Sequence, residues 1–421
     1  MKRIIQKKNI NSVVKIPGSK SLTHRALIVA GLADGKSRLN SFLSSEDTLY
    51  TANTLKKLGI EIKLNNDVAE VYGNGGVFKP AVHKQEINLG NSGTSYRLLL
   101  SVAALADGHY VFTGSERMKE RPIAYLSDAL KTLGVDISYL EKKGYPPVLI
   151  NASGINGGRV IIPGDISSQY VSSLLLSGPY AKSELIIEID GELVSRPYMD
   201  LTLDIMSDFG VTVLHKDHNV FTIPYGQSYR SRDYIIDGDV SSASYFWGAA
   251  AITGGTVKTE NIHPHKTRQG DMGLLDVLEE MGCTIELEEN SVTVKGSSLT
   301  GVSVDMGSMP DMVPTLAVIS LFAKGKTILG NVSHLRHKES DRIADTAKEI
   351  RRIGGTVEEQ DDGLVVHGGE KLTGAEIDPH NDHRLAMSFA MAGLKVPDVI
   401  IMDENCVNKS FPTFWNLWDL I

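Results

Sequence analysis

The stretch TLKKLGIEI, residues 54–62, places an amphipathic segment before a glycine and an alternating segment after it. Glycine just past a helix supplies the left-handed residue that ends it, so the stretch predicts a helix, a stop and a strand. The pattern recurs in ALKTLGVDI (129–137), IMSDFGVTV (205–213), LEEMGCTIEL (278–287) and IRRIGGTVEE (350–359). The glycines are Gly59, Gly134, Gly210, Gly282 and Gly354, spaced by 75, 76, 72 and 72 residues.

A second series of segments interleaves with the first. Each has a polar cap, a helix rich in Ala, Ser and Leu, a small-residue turn and a strand, and the turns recur every 70 to 75 residues. Helices such as LLLSVAALA and LAVISLFA are apolar nearly all round, which predicts that they are buried with sheet around them. The copies begin near Ser21, Ser92, Ser167, Ser241, Asp311 and Asp382.

The two series together predict an α/β fold of six units, each a strand–helix–strand–helix–strand of about 72 residues. Six units divide into two similar lobes of three around buried helices, with a cleft between the lobes. We expect an N-terminal lobe at 16–234 and a C-terminal lobe at 1–15 and 235–421. The strand near 10–16 is predicted to complete the sixth unit, and the two crossover segments would form a hinge.

The overall composition is that of an ordinary globular protein, with 42% hydrophobic and 22% charged residues among 421. The net charge of −8 argues against general nucleic-acid binding. No apolar run is long enough to span a membrane, and no signal peptide is visible. Cys283 and Cys406 are predicted to be free thiols, so we expect a cytoplasmic protein.

Cations and small polar residues cluster where the apolar helices are predicted to begin. PGSKSLTHR carries Lys20, Ser21 and Arg25, and GNSGTSYR carries Asn91 and Gly93. A cation in the first turn of a helix is unfavourable by about 0.3–1 kcal/mol, but a bound anion reverses that balance. Recurrence at one structural position therefore predicts a site for anionic ligands.

Further charged residues complete a set that suits chemistry on phosphates. Arg121 precedes a predicted helix, Arg342 lies in HKESDR, and both can bind an anion in bidentate fashion. Asp311 and Glu339 supply carboxylates for proton transfer. No His/Cys set has metal-ligand spacing, and the Walker and GxGxxG patterns are absent, so neither a metal nor another cofactor is expected.

Ten segments, in order along nearly the whole chain, resemble the EPSP synthase (3-phosphoshikimate 1-carboxyvinyltransferase) family. They are PGSKSLTHRAL, LGNSGTSYRLL, RMKERPI, DISSQYVSSLL, SRPYMDLTL, DGDVSSASYF, MPDMVPTLAV, HKESDRI, PHNDHRLAM and NKSFPTFW. The resemblance implies the same fold of two three-unit lobes. It implies transfer of the enolpyruvyl group of phosphoenolpyruvate to the 5-hydroxyl of shikimate 3-phosphate, by a monomer without nucleic-acid or membrane partners.

The resemblance also assigns residues to the two substrates. For shikimate 3-phosphate it implies Lys20, Ser21, Arg25, Ser167, Ser168, Gln169, Ser195, Tyr198, Asp311 and Lys338. For phosphoenolpyruvate it implies Lys20, Asn91, Gly93, Arg121, Gln169, Arg342, His383, Arg384 and Lys409.

The catalytic roles implied by the resemblance fall on three residues. Asp311 would accept the proton of the 5-hydroxyl, Glu339 would handle the proton at the methylene carbon, and Lys20 would assist the departing phosphate. The sequence departs from many members of the family at His334, where Asn is common, and at Leu98, where Pro is common.

Two other functions remain open at this point. UDP-N-acetylglucosamine enolpyruvyl transferase shares the fold and the donor, but it commonly carries a Cys in the second unit, far from Cys283 and Cys406. A non-catalytic protein that binds phosphate esters or RNA ends could also use such repeats, although Asp311 and Glu339 beside the cations argue against it.

Overall fold

The structure, a computed structural model, describes residues 1–7, 10–79 and 83–421. The chain folds into two compact units, one formed by Ser19–Ile236 and the other by Met1–Gly18 with Asp237–Ile421. We call them the continuous unit and the split unit. Each encloses a hydrophobic core of its own. In the described residues, no helix is both long and apolar enough to cross a membrane.

Two strands at the start of the chain, β1 (Lys2–Arg3) and β2 (Asn11–Lys15), belong to the split unit. The continuous unit then follows, with three copies of one αβ arrangement. Its elements are α1 (Lys20–Leu32), β3 (Asp34–Asn40), α2 (Glu46–Lys57), β4 (Glu61–Asn65), β5 (Val68–Asn74), β6 (Gln85–Asn88), α3 (Gly93–Ala104), β7 (Asp107–Thr113), α4 (Glu116–Lys119), α5 (Ala124–Thr132), β8 (Asp136–Tyr139), β9 (Val148–Ser153), β10 (Gly158–Pro163), α6 (Ser168–Ser177), β11 (Leu185–Asp190), α7 (Arg196–Asp208), β12 (Leu214–Lys216), β13 (Val220–Ile223) and β14 (Asp233–Ile235).

Each copy in the continuous unit builds a four-stranded sheet, in the orders β14-β3-β5-β4, β6-β7-β9-β8 and β10-β11-β13-β12. The first two strands of each sheet are parallel and the other neighbours are antiparallel. The sequence pattern predicted one strand after the second helix, whereas the structure has a hairpin. In the first copy Asn66, with φ +51°, makes the tight turn between β4 and β5.

The split unit repeats this arrangement with the remaining elements. Its sheets have the orders β2-β15-β17-β16, β18-β19-β21-β20 and β1-β23-β22. The elements are α8 (Val240–Thr253), β15 (Thr256–Glu260), α9 (Gly273–Glu280), β16 (Thr284–Leu287), β17 (Ser291–Lys295), β18 (Ser303–Asp305), α10 (Val313–Ser320), β19 (Gly325–Gly330), α11 (Arg342–Arg352), β20 (Thr356–Gln360), β21 (Gly363–Gly368), β22 (Glu376–Ile377), α12 (His383–Gly393), β23 (Ile400–Ile401) and α13 (Phe414–Trp418).

The N-terminal strand completes a different copy from the one predicted. β2 runs parallel to β15, with Asn11 opposite Thr256, and so completes the fourth copy. The sixth copy is completed by β1, which pairs antiparallel with β23. β14 directly precedes α8 but pairs with β3 in the continuous unit. The strand parallel to β15 in the fourth copy is therefore β2. The prediction that the strand near 10–16 completes the sixth unit is therefore wrong.

The first helix of each copy is buried, as its all-round apolar character predicted. In α8 every residue from Ser242 to Ile252 is buried, and in α12 every residue is. Small hydroxyl residues allow close helix packing. The Oγ atoms of Ser101 in α3 and Ser173 in α6 lie 2.6 Å apart. The α/β fold with buried helices is therefore confirmed, and the starts of these helices position the residues described next.

Candidate active site

Serine side chains cap the three buried helices of the continuous unit. The Oγ atoms of Ser19, Ser92 and Ser167 accept hydrogen bonds from backbone N–H groups in the first turns of α1, α3 and α6. Such caps satisfy N–H groups that have no partner within the helix. They fix the positions of Ser168 and Gln169, the first two residues of α6.

Gln169 joins the starts of α3 and α6. Its Oε1 accepts a hydrogen bond of 2.8 Å from Nη1 of Arg97, and its Nε2 donates one of 3.0 Å to Oγ1 of Thr94. The Arg97 guanidinium also lies over the ring of Tyr170, 5.3 Å from its centroid. Arg97 was not among the predicted site residues, because a lone arginine inside an apolar helix gives no signal of what it contacts.

Arg25 is a buried cation surrounded by neutral oxygen atoms. It is 2% exposed and donates hydrogen bonds to the hydroxyls of Thr202 and Ser172 and to the carbonyls of Ser21 and Tyr198. Within residues 1–7, 10–79 and 83–421, no carboxylate is paired with it. Burial lowers the pKa of Arg25 to about 10. A desolvated charge of this kind is costly unless an anion completes its surroundings.

Lys20, the first residue of α1, is held by a buried carboxylate. Its Nζ lies 3.2 Å from Oδ2 of Asp47, and the Lys20 side chain is 12% exposed. The carbonyl of Asp47 accepts a hydrogen bond from Ser95, which also accepts one from Thr51. Hydrogen bonds therefore tie Asp47 to α3, and Asp47 in turn positions the Lys20 ammonium.

Arg121 lies against the start of α3, where Gly93 leaves room for it. Its Nη1 donates to the carbonyl of Asn91 at 3.1 Å, and an ideal Cβ placed on Gly93 would lie 2.4 Å from its Nη2. The resemblance implies that Gly93 lies at the phosphoenolpyruvate site, and in the structure the space beside Gly93 holds the guanidinium of Arg121. Arg117 and Lys119, in the same segment, pair instead with Glu residues on α4 and the loop after it.

Ser195 is the N-cap of α7, and Tyr198 lies in the first turn of this helix. Ser195 has φ +56°, a left-handed conformation that costs a residue other than glycine on the order of 1 kcal/mol. The Tyr198 carbonyl accepts the hydrogen bond from Arg25 described above. The strained turn thus begins the helix whose first turn brings the Tyr198 carbonyl to the buried cation.

In the split unit, Arg342 is surrounded by carboxylates. Its Nε lies 2.7 Å from Oδ2 of Asp382, its Nη1 2.8 Å from Oδ1 of Asp311, and its Nη2 2.9 Å from Oε2 of Glu339. These negative charges outweigh burial and raise the pKa of Arg342. A planar guanidinium can bridge several carboxylates in this way and fix their relative positions.

Arg384 is the second cation on Asp311. Its Nη2 lies 2.6 Å from Oδ2 of Asp311, and its Nη1 lies 3.5 Å from the hydroxyl of Tyr245. Because both oxygens of Asp311 accept from arginines, the carboxylate is held in one orientation. A positioned carboxylate between two cations is suited to accept a proton from a bound hydroxyl once the arginines engage an anion.

The remaining predicted residues occupy different depths. His383 opens α12 and is 1% exposed, and Lys409, at the end of the 3₁₀ turn Glu404–Lys409, is 7% exposed. Lys338 is half-buried just before α11. Burial, followed by the charge of Lys338, lowers the pKa of His334 to about 4, so this ring is neutral at physiological pH.

The structure gathers the predicted residues at helix starts within each unit. In the continuous unit, Lys20, Ser21, Arg25, Asn91, Gly93, Arg121, Ser167, Ser168, Gln169, Ser195 and Tyr198 lie in or beside the starts of α1, α3, α6 and α7. In the split unit, Asp311, Lys338, Glu339, Arg342, His383 and Arg384 lie in or beside the starts of α10, α11 and α12.

Sequence reasoning missed the carboxylates that hold the cations. Asp47 pairs with Lys20, and Asp382, fully buried, pairs with Arg342. Asp382 marked a helix start in the sequence, but its pairing with Arg342 depends on a residue 40 positions earlier. In each unit, cations held by oriented carboxylates at helix starts form the kind of arrangement that enzymes use to bind anions and to transfer protons.

Comparison with known proteins narrows this class. A family model described as EPSP synthase (3-phosphoshikimate 1-carboxyvinyltransferase) matches residues 4–418. The chain is 45% identical to the 3-phosphoshikimate 1-carboxyvinyltransferase of Photobacterium profundum over 410 residues, 97% of this chain and 95% of the relative. It is 45% identical to that of Sulfurovum sp. over 415 residues, 98% and 97% of the two chains.

Solved structures agree with the sequence relatives. An EPSP synthase structure from Acinetobacter baumannii superimposes with a TM-score of 0.82 at 29% identity, covering 99% of this chain and 97% of the other. A second EPSP synthase structure from the same organism gives 0.81 at 28% identity, with the same coverage. This chain belongs to the EPSP synthase family.

Proposed function

We propose that the protein transfers the enolpyruvyl group of phosphoenolpyruvate to the 5-hydroxyl of shikimate 3-phosphate, giving 5-enolpyruvylshikimate 3-phosphate and phosphate. Membership of the family over residues 4–418 supports this transferase activity in aromatic amino-acid biosynthesis. The observation that carries the proposal is Asp311, held between Arg342 and Arg384 at 2.8 and 2.6 Å. This arrangement combines binding of an anion with a base for a hydroxyl proton.

In the proposed function, shikimate 3-phosphate binds mainly through the continuous unit. The guanidinium of Arg25 would bind the phosphate. Its hydrogen-bond partners in the structure are all neutral, so a phosphate would provide the negative charge that balances it. The hydroxyls of Ser167, Ser168 and Ser195 would donate to the phosphate oxygens. Ser21, Gln169, Tyr198, Lys338 and Asp311 would complete the site, as the resemblance implied.

Phosphoenolpyruvate carries a carboxylate and a phosphate, and the proposed site offers cations for both. Arg121 in the continuous unit and Arg342 and Arg384 in the split unit can each bind such groups through two N–H donors. Asn91, Gly93, Gln169, His383 and Lys409 would surround the same substrate. Lys20 would contact both substrates and balance the charge of the departing phosphate.

The proposed chemistry uses two carboxylates, Glu339 and Asp311, to move protons between the substrates and the protein. Glu339 gives a proton to the methylene carbon, which places positive charge on the carbon that bears the phosphate. The 5-hydroxyl oxygen bonds to that carbon while Asp311 takes its proton. The bond between that carbon and the phosphate oxygen then breaks, its electron pair leaves with the oxygen, and the phosphate takes the proton held by Asp311. A methyl proton returns to Glu339 and the double bond reforms, so protons and electrons balance.

The two cysteines do not support the UDP-N-acetylglucosamine enolpyruvyl transferase alternative. Cys283 and Cys406 are both free and buried, which confirms the prediction of free thiols. Burial raises the pKa of Cys283 to about 11 and raises that of Cys406 as well. Both thiols therefore stay protonated at neutral pH and are poor nucleophiles.

We also propose that the protein works in the cytoplasm and as a monomer. Free buried thiols suit a reducing compartment, which supports the first part. The second part follows the family resemblance and predicts a single species of the mass of one chain in size-exclusion chromatography with light scattering. A larger species at micromolar concentration would contradict it.

The proposed activity is tested by measuring phosphate release from phosphoenolpyruvate with shikimate 3-phosphate, and separately with UDP-N-acetylglucosamine. We expect release only with shikimate 3-phosphate. Lys20→Met should lower kcat/KM by about three orders of magnitude, since it removes a charge that both substrates use. Release with neither acceptor would favour the non-catalytic phosphate-ester binder, and a Lys20→Met variant within tenfold of the wild type would exclude the role given to Lys20.

A further inference from the structure

The split unit contains a further buried carboxylate, Asp271, which is linked to Arg384 through Ser241. Asp271 belongs to the 3₁₀ turn Gly270–Met272, just before α9, and is 4% exposed. Its Oδ2 accepts a hydrogen bond from Oγ of Ser241, in the first turn of α8. Its Oδ1 is buried and makes no hydrogen bond to any residue that the structure describes.

Ser241 links this carboxylate to Arg384. Nη2 of Arg384 donates to Oγ of Ser241 at 3.4 Å and to Oδ2 of Asp311 at 2.6 Å. A serine hydroxyl has one hydrogen to donate and lone pairs to accept. Because Asp271 takes the hydrogen, the lone pairs of Ser241 are turned toward Arg384.

Ser241 gives Nη2 of Arg384 an acceptor in addition to Asp311. A guanidinium held only by its ligand can rotate, so binding the ligand costs the entropy of fixing the guanidinium in one orientation. A second acceptor on the same nitrogen limits that rotation. Asp271 determines whether this acceptor points the right way.

We propose that Asp271 is a positioning residue that acts through Ser241 to orient Arg384 toward the anionic donor substrate. The proposal rests on the proposed function, in which Arg384 binds phosphoenolpyruvate. Asp271 would not touch substrate, because Ser241 lies between it and Arg384.

The charges around Asp271 are consistent with this role. Burial and, next, the charge of Asp311 raise the pKa of Asp271 to about 7, whereas Arg384 acts in the opposite direction. Asp239, at the start of α8, adds to the rise. Since Arg384 is the cation that favours ionised Asp271, the carboxylate and Ser241 together attract the guanidinium.

The test compares Ser241→Ala, Ser241→Thr, Asp271→Ala and the Ser241→Ala/Asp271→Ala double variant in steady-state kinetics. We expect each alanine variant to raise KM for phosphoenolpyruvate about tenfold, a loss typical of a hydrogen bond to a charged group. KM for shikimate 3-phosphate should stay within about twofold. Ser241→Thr keeps the hydroxyl and should restore most of the affinity.

The double variant and a control separate positioning from general damage. Residues that act along one path give a double variant no worse than either single one, so about tenfold is expected again. The control is Asp276→Asn, which removes an exposed carboxylate on α9 and should leave both KM values unchanged. If Asp271→Ala does not fold, the Ser241 pair carries the test alone.

Two results would overturn the proposal. One is an unchanged KM for phosphoenolpyruvate in Ser241→Ala; the other is an equal rise in both KM values, which indicates a structural role. Arg384→Ala distinguishes this failure from failure of the proposed function. A large rise in KM for phosphoenolpyruvate in Arg384→Ala with none in Ser241→Ala refutes the relay only, whereas no rise in Arg384→Ala refutes the role of Arg384 as well.

Discussion

Arg25 in the continuous unit and Arg342 in the split unit are both 2% exposed arginines, but their surroundings are opposite. Arg25 is bonded to hydroxyl and carbonyl oxygens, and burial lowers its pKa to about 10. Arg342 is bonded to three carboxylates that raise its pKa. Among the described residues no carboxylate is paired with Arg25, whereas Arg342 holds three carboxylates around it.

In the proposed function, this difference would give the two units different roles. A cation with neutral partners gains most from a bound phosphate and serves recognition. A cation among carboxylates holds acids and bases in fixed orientations, which proton transfer requires. Substitutions in either unit can therefore test the comparison between Arg25 and Arg342.

The largest effect is expected at the acid that both split-unit arginines share. Asp311→Asn keeps the size of the side chain but replaces one accepting oxygen with an NH2 donor and removes the base, so kcat should fall about a thousandfold with smaller changes in KM. Phosphate-release kinetics measure it, with Asp276→Asn as control. A kcat within tenfold of the wild type would assign the proton transfer to another residue.

Replacing Arg342 should destabilise the protein. Arg342→Met leaves Asp382, Glu339 and Asp311 without this counter-charge, and Asp382 is fully buried. Breaking a buried ion network from one side costs about 3–5 kcal/mol. Urea denaturation followed by circular dichroism should show the loss, and an unchanged midpoint would mean that the carboxylates relax into solvent.

The same substitution at Arg25 should affect substrate binding rather than stability. Arg25→Met removes a charge without a carboxylate partner, and its neighbours Ser172 and Thr202 stay bonded to each other at 2.9 Å. Stability should stay within about 1 kcal/mol of the wild type or rise. KM for shikimate 3-phosphate should increase about a hundredfold. Unchanged KM with reduced stability would assign Arg25 a structural role.

Asp271→Asn should alter how stability depends on pH. The raised pKa of Asp271, about 7, means that the folded protein holds this proton at pH values where the unfolded chain, near 3.9, has lost it. The wild type therefore loses stability as pH rises from about 4 to 7, and the Asn variant, which cannot ionise, does not.

The variant's stability relative to the wild type should increase by about 2–3 kcal/mol between pH 5 and pH 8. Thermal unfolding of both proteins at a series of pH values measures this. Parallel curves across that range would show that Asp271 is ionised throughout.

The smallest effect is expected at Gly93. A methyl group at this position would meet the Arg121 guanidinium at 2.4 Å, so Gly93→Ala should shift Arg121 without unfolding α3. We expect KM for phosphoenolpyruvate to rise about tenfold, the loss of one hydrogen bond to a charged group. A crystal structure of the variant would show whether Arg121 moves, and an unmoved Arg121 would contradict the explanation.

Much of the fold could be predicted from sequence because its signals are local and repeated. The glycine after each amphipathic helix, such as Gly59 with φ +93° and Gly134 with φ +86°, is the left-handed stop that the pattern indicated. The serines before the apolar helices cap them, as their side chains allow. Both features need only a few neighbouring residues.

What the sequence could not provide depends on distant partners. β2 has the pattern of a strand, but its sequence does not indicate which strand it pairs with. It pairs with β15, because β14, the strand before α8, pairs with β3 instead. Asp271 in QGDM looks like an ordinary helix-start acid, and only the packing of α8 against its turn reveals the contact with Ser241. The repeated units can be recognised from the sequence alone, whereas the pairing of side chains that are distant in sequence requires the structure.

The membership of β2 in the split unit has a consequence for biosynthesis. The ribosome releases β2 before anything else that it pairs with, and its partner β15 emerges only after the whole continuous unit. The continuous unit has all its strands in one stretch of chain and can fold while translation proceeds. β2 must therefore wait without its partner strand until residues 256–260 of the 421 have been synthesised. We expect slow codons or a chaperone acting at the amino terminus to influence the yield of this protein more than the same measures applied to its middle.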